Sequence, residues 1–177
     1  MSKIRPWKKL GSSVAFQKYS RVLESVDFAL PNGVETDFII DTRGPAVCIV
    51  GFTQADEVIL VKQFRPGPMK ILTELPGGFV DEDATALESA RNELLEETGY
   101  EGDMEFVGTC LDDAYSTMVR HCYVAKNCRQ ISEPVSTDTE SPEVVLVSLE
   151  KFRELLRKGE MTDIEVGYLG LDYLGLL

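Results

Sequence analysis

Residues 74–100 read ELPGGFVDEDATALESARNELLEETGY, and the carboxylates near its end decide how the rest of the chain is read. Glu93, Glu96 and Glu97 stand at i, i+3 and i+4, which places them on one face of a helix. Like charges that close repel one another unless a cation sits among them. Carboxylates offer only hard oxygen donors, so the natural cation is Mg²⁺ or Mn²⁺. An isolated E-x-x-E-E on a helix is usually just a solvated acidic face. A metal site is the other reading of these carboxylates, and their spacing alone leaves both open. The helix is expected to begin near Asp83 or Thr85, where acids and a hydroxyl suit an N-terminus. Leu87, Ala90 and Leu94 give it an apolar stripe, and Gly99 suits a left-handed C-terminal cap.

Outward from this segment, strand patterns dominate the N-terminal side. Residues 12–40 read as a β-hairpin, with Tyr19–Leu30 and Val34–Ile40 flanking the turn signal Pro31-Asn32-Gly33. Ala46–Phe52 and Glu57–Phe64 form a second pair, ended by Arg65-Pro66-Gly67-Pro68. Ile71–Glu74 reads as a short strand leading into the glycine pair. Beyond the helix, Glu101–Leu111, Val119–Ala125 and Val144–Leu149 are strand-like. Ser148 is expected to cap a helix through Arg157 that stops at Gly159. Thr162 and Glu165 make a capping-box pattern for a last helix carrying Ile164, Tyr168, Leu171 and Leu174. Strands surrounding one central helix, with further helices at the end, describe an α+β protein, an α/β/α sandwich.

Composition limits the function classes. At 177 residues the chain can bury one domain-sized core, and 44% hydrophobic with 27% charged residues is the balance of an ordinary globular protein. No apolar run approaches a membrane span, and Met1–Gly11 has no apolar signal core, so no membrane partner and a cytoplasmic location are expected. Thirty acidic against 18 basic residues give a net charge of −12, which argues against nucleic acid as a partner. An acidic protein that takes an anionic ligand needs cations between the two. Cys48, Cys110, Cys122 and Cys128 lack C-x-x-C spacing and read as reduced, inert thiols.

The stretch from Gly78 through Glu93, Leu94, Glu96, Glu97, Gly99 and Tyr100 resembles the Nudix box, the loop-helix-loop signature of enzymes that hydrolyse nucleoside diphosphates linked to another group. Two positions depart from it. Ala84 stands where the family has its first Glu, and Asn92 where it has Arg, although Arg91 is next door. The missing pair is one acid and one base, the two ends of a single ion pair. Val61-Lys62-Gln63-Phe64-Arg65-Pro66 followed by Glu74-Leu75-Pro76-Gly77-Gly78, and the hairpin ahead of them, resemble the ADP-ribose and nucleoside diphosphate sugar pyrophosphatase branch. The resemblance implies the Nudix fold, a mixed β-sheet between helices with an N-terminal β-hairpin arm. It implies an arm over residues 1–44 for dimerisation and base binding, a catalytic core over 45–177, and a homodimer. It also implies metal-dependent hydrolysis of a small-molecule nucleoside diphosphate derivative to a nucleoside monophosphate and a sugar phosphate.

Site residues follow from the same resemblance. Glu93 and Glu97 match direct metal ligands, Glu96 a residue that shares a second metal or orients water, and Gly77 a main-chain carbonyl ligand. In the polar loop Thr137-Asp138-Thr139-Glu140-Ser141-Pro142, Glu140 matches a further ligand and Asp138 the general base, with Glu143 as the alternative in register. Arg65 offers a guanidinium fork for a diphosphate oxygen or is a surface arginine at a strand end. Trp7 is either a core anchor or the arm aromatic that stacks on the nucleobase. Asp112-Asp113-Ala114-Tyr115-Ser116 lacks the proline marker of ADP-ribose enzymes, which leaves nucleoside diphosphate sugars open beside ADP-ribose.

Three other readings compete with this one. Asp113, Ser116 and His121 can be arranged on paper as a nucleophilic triad, but nothing like a G-x-S-x-G elbow surrounds Ser116. An isoprenoid diphosphate isomerase would need a catalytic cysteine that no motif supports. A non-catalytic nucleotide-sugar-binding module on the same fold is the main alternative.

Overall fold

The computed structural model of the chain describes residues 4–136 and 142–177, so Asp138 and Glu140 lie outside the described residues. It divides into two compact units, Met1–Gly44 with Leu111–Val119, and Pro45–Cys110 with Arg120–Leu177.

The first unit holds a three-stranded antiparallel sheet ordered β1-β2-β3, from β1 (Lys8–Lys18), β2 (Arg21–Ala29) and β3 (Glu35–Asp41). The turn between β2 and β3 is the one expected at Pro31-Asn32-Gly33. Gly33 takes a φ of +85°, its N–H donates to the Leu30 carbonyl at 2.9 Å, and Asn32 Oδ1 accepts from the Val34 N–H at 3.1 Å. The expected hairpin is therefore two strands of a three-strand meander, and β1 is the strand that sequence reasoning missed. Its sequence KKLGSSVAFQK has no steady alternation, because register shifts between Lys9 and Gly11 and between Val14 and Phe16 break the two-residue period. The chain returns to this sheet at residues 111–119, where Asp41 bridges Ser116. The Asp41 carboxylate accepts from Arg43 Nε at 2.9 and 2.8 Å.

The second unit is a seven-stranded mixed sheet. Its strands are β4 (Ala46–Thr53), β5 (Val58–Arg65), β6 (Lys70–Glu74), β7 (Gly77–Phe79), β8 (Tyr100–Leu111), β9 (Val119–Gln130) and β10 (Glu143–Val147). The main path runs β10-β5-β4-β9-β8, with β6 paired to β5 and β7 to β4. β4 and β9 are parallel, and β5 pairs antiparallel with β4, β6 and β10. Helix α1 (Ala86–Thr98) covers one face. Ala90 and Leu94 meet Val47, Ile49, Ile59, Tyr123 and Ala125 there. Helices α2 (Leu149–Lys158) and α3 (Ile164–Tyr173) cover the other, where Phe152, Leu156, Val166 and Leu171 meet Cys48, Val50, Leu60, Cys122 and Val124. Odd positions of β4 point to α1 and even ones to α2 and α3, so the strand is buried on both faces and reads as a continuous apolar run. This is the expected α/β/α sandwich. Among the described residues, no helix is long and apolar enough to cross a membrane.

Helix ends follow local chemistry with one exception. Ser148 caps α2 by accepting from the Lys151 N–H at 3.2 Å, and Gly159 closes it at a φ of +70°. The expected Thr162 cap on α3 is not formed. The helix starts one residue later, with Asp163 at the N-cap and no side-chain cap bond. Thr162 Oγ1 instead donates to Glu74 Oε1 at 2.8 Å, and Glu165 pairs with Arg120. A buried carboxylate claims the hydroxyl that local sequence assigns to the helix.

Candidate active site

The site is built on α1 and β7. Thr85 and Glu88 form a reciprocal capping box. Thr85 Oγ1 accepts from the Glu88 N–H at 3.2 Å, and Glu88 Oε2 accepts from the Thr85 N–H at 2.8 Å. The helix stops at Gly99, φ +74°, where a Cβ would come 2.1 Å from the Ser132 carbonyl oxygen, so only glycine fits. Between these stops Ala90 and Leu94 are fully buried, which fixes the rotation of the helix about its axis.

That rotation sets Glu93 and Glu97 against the glycine pair. β7 lies along β4, with Gly77 opposite Cys48 and Gly78 opposite Val47. A Cβ on Gly77 would sit 2.3 Å from the Val47 carbonyl oxygen, so the strand approaches β4 more closely than any side chain allows. A Cβ on Gly78 would fall 2.1 Å from Glu93 Oε1; the Glu93 carboxylate occupies the space a side chain would fill. Glu97 Oε2 accepts from the Gly77 N–H at 2.9 Å, and Glu97 Oε1 accepts from Gln63 Nε2 at 2.8 Å. Sequence reasoning passed over Gln63. The available signal was its phase: it follows Ile59 and Val61 on the α1 side of β5, where a polar side chain needs a partner.

The remaining candidates are spread more widely. Glu96 is exposed, and its backbone carbonyl accepts from the Val135 N–H at 2.7 Å. Glu143 is exposed and pairs with Lys62 at 3.1 Å. Arg65 Nε donates to Glu74 Oε2 at 2.6 Å; Glu74 is only 1% exposed and also receives the Thr162 hydroxyl. Glu74 was another residue the sequence did not single out, although it opens the glycine turn. Trp7 is 46% exposed and packs on Phe28 and Phe38, with ring centroids 5.9 and 5.2 Å away, and Phe38 stacks on Tyr115 at 6.0 Å. Ser116, His121 and Asp113 have separate engagements. Ser116 Oγ accepts from the Met118 N–H, Asp113 Oδ1 from the Tyr115 N–H, and His121 lies against Phe106.

The cysteines are free thiols. Burial, with Cys110 Sγ 3.5 Å away, pushes the Cys122 thiol up to about 12, burial pushes Cys128 up to about 11, and burial raises Cys48 strongly. None of these three is a thiolate nucleophile at neutral pH.

The donor set suits a hard divalent cation. Among the described residues, no group of three or more His, Cys, Asp and Glu side chains forms a ready metal cage. Mg²⁺ does not require one, since it keeps several waters and takes one or two carboxylates together with substrate phosphates. Glu93, over a side-chain-free glycine, and Glu97, held at both oxygens, are the carboxylates that could supply them. A cavity of about 450 Å³ lies elsewhere, lined by residues including Arg91, Asn92, Met104, Asn127 and Arg129 and by none of Glu93, Glu96 or Glu97.

The NUDIX domain model matches residues 42–166. An ADP-ribose pyrophosphatase of Bacillus subtilis (strain 168) is 28% identical over 153 residues, covering 85% of this chain and 82% of the relative. A methanol dehydrogenase activator of Bacillus methanolicus is 26% identical over 178 residues, covering 97% and 96%. An ADP-sugar pyrophosphatase of Mus musculus is 39% identical over 66 residues, covering 36% and 30%. A solved structure described as an ADP compounds hydrolase superposes with a TM-score of 0.80 at 21% identity over the whole of both chains, which speaks for the fold.

Proposed function

We propose that this chain, which belongs to the NUDIX domain family, hydrolyses the diphosphate linkage of ADP-ribose or a related nucleoside diphosphate sugar, releasing a nucleoside monophosphate and a sugar phosphate. The observation that carries the reading is the pairing of Glu93 with Gly78 and of Glu97 with Gly77 and Gln63. Hydrolases of this family generally depend on a divalent metal. Mg²⁺ or Mn²⁺, held by Glu93, Glu96, Glu97, Glu140 and the Gly77 carbonyl, would screen the diphosphate charge and acidify the attacking water.

The protein's own groups do the rest. Asp138 or Glu140 takes the proton from the water as it attacks phosphorus. Arg65 spends Nε on Glu74, and its remaining guanidinium N–H groups reach a diphosphate oxygen. Trp7, half exposed on its aromatic bed, offers a stacking face to the nucleobase. On this reading residues 1–44 bind the base and pair two copies, and residues 45–177 carry the chemistry. A homodimer is supported by β1, a sheet edge of 11 residues that leaves Leu10, Val14 and Phe16 exposed. The free thiols accord with work in the cytoplasm.

A second reading, a binding module without catalysis, draws on Ala84, Asn92 and the relative named for activating a dehydrogenase. One assay separates the two. ADP-ribose, ADP-glucose, GDP-mannose, UDP-glucose and NADH are incubated with the protein and Mg²⁺, and products are identified. Release of nucleoside monophosphate with a sugar phosphate supports the hydrolase; binding without turnover of any of them supports the module.

A further inference from the structure

From the geometry around Glu97 we infer that Gln63 is a positioning residue, which sets the orientation of the Glu97 carboxylate for metal binding; this rests on the hydrolase reading above. Glu97 is on a helix and its carboxylate has several side-chain torsions to settle. Gln63 is 8% exposed on a central strand, and its amide reaches Glu97 Oε1 at 2.8 Å while the Gly77 N–H holds Oε2 at 2.9 Å. The two donors come from β5 and β7, both anchored to β4 by backbone pairing. One oxygen bound leaves the carboxylate free to swivel, whereas a donor on each oxygen fixes its plane.

The identity of the amide follows from charge. An ionised carboxylate only accepts, so the NH₂ end of Gln63 must face it. A lysine or arginine at position 63 would make a stronger bond but cancel the negative charge that attracts a cation. Glutamine supplies direction without neutralisation. Partners that orient metal ligands typically contribute about 10–100-fold in metal affinity.

The test uses the full chain with Mn²⁺ alone, followed by electron paramagnetic resonance without substrate. Gln63→Met keeps the side-chain length and removes the donor; Gln63→Lys keeps a donor and adds a charge. Both are expected to weaken Mn²⁺ binding by about 10–100-fold with little change in Tm, and raised Mn²⁺ should partly restore kcat in Gln63→Met with KM for substrate little moved. A residue that only supports the fold would lower Tm and leave affinity in the folded protein unchanged. Glu97→Gln is measured alongside. If it weakens Mn²⁺ binding while both Gln63 variants stay within twofold of the parent, the role of Gln63 is overturned and the hydrolase reading stands. If Glu97→Gln itself binds Mn²⁺ like the parent, the metal site is misplaced and the inference falls with it.

Discussion

Glu97 shows how little a single residue means outside its contacts. Its charge and spacing are visible in the sequence, but its hydrogen-bond partners include Gln63, 34 positions earlier, and Gly77, 20 positions earlier. Glu97→Gln removes the charge while preserving the shape. It should lower kcat by more than the ~100-fold upper range of an outer-partner loss and leave the circular dichroism spectrum unchanged. Near-normal turnover would remove Glu97 from the site. Arg65 presents the opposite case, a residue with a structural duty whatever its catalytic one. Its partner Glu74 is 1% exposed, so Arg65→Met would strand a buried carboxylate. Full removal of one partner from a buried pair costs about 3–5 kcal/mol. The Arg65 side chain is 38% exposed and screened in part, so about 2–3 kcal/mol is expected, a Tm lowered by roughly 5–10 °C. An unchanged melting curve would show that Glu74 finds its compensation elsewhere.

At the scale of the element, the adjacent glycines of β7 make a controlled comparison. A methyl on Gly77 meets the backbone of β4 at 2.3 Å, and backbone cannot step aside without breaking the β4–β7 pairing. A methyl on Gly78 meets the far end of Glu93, which can rotate away. Gly77→Ala should therefore lose stability on the order of 1–3 kcal/mol in urea unfolding, as overpacked sites do. Gly78→Ala should unfold close to the parent midpoint yet bind Mn²⁺ more weakly, because Glu93 is displaced. If both variants were equally destabilised, the carboxylate would not be filling the place of the missing side chain. Helix α1 needed no such comparison to be found, since the acids and hydroxyl at its start, its apolar stripe and its left-handed glycine are all local signals. Strand β1 was illegible for the converse reason: its bulges erase the alternation by which strands are recognised. Thr162 looked like a cap and became a partner of Glu74, a long-range bond overriding a local one.

Across the whole molecule, burial governs which groups can react. Cys48, Cys122 and Cys128 are buried and their thiols are raised, while Cys110 is part-exposed. A raised thiol stays protonated until the pH climbs toward its folded value, here about 11 to 12 for Cys128 and Cys122. At pH 8 in the native protein, a chromogenic disulfide reagent should thus titrate Cys110 promptly and the other three only after denaturant is added. Prompt reaction of all four would mean that the sandwich opens far more readily than its core packing indicates.

Sequence by itself determined the layered fold, the acidic helix with its stops, and the spacing from Gly78 to the carboxylates, because those are carried by residues within a few turns of one another. Tertiary structure alone decided that Gln63 holds Glu97, that Glu74 captures Arg65 and Thr162, and that Glu93 fills the gap over Gly78. Each of these contacts joins side chains from separate strands, helices or turns. Their partners are chosen by which faces pack together, and no local periodicity records that choice.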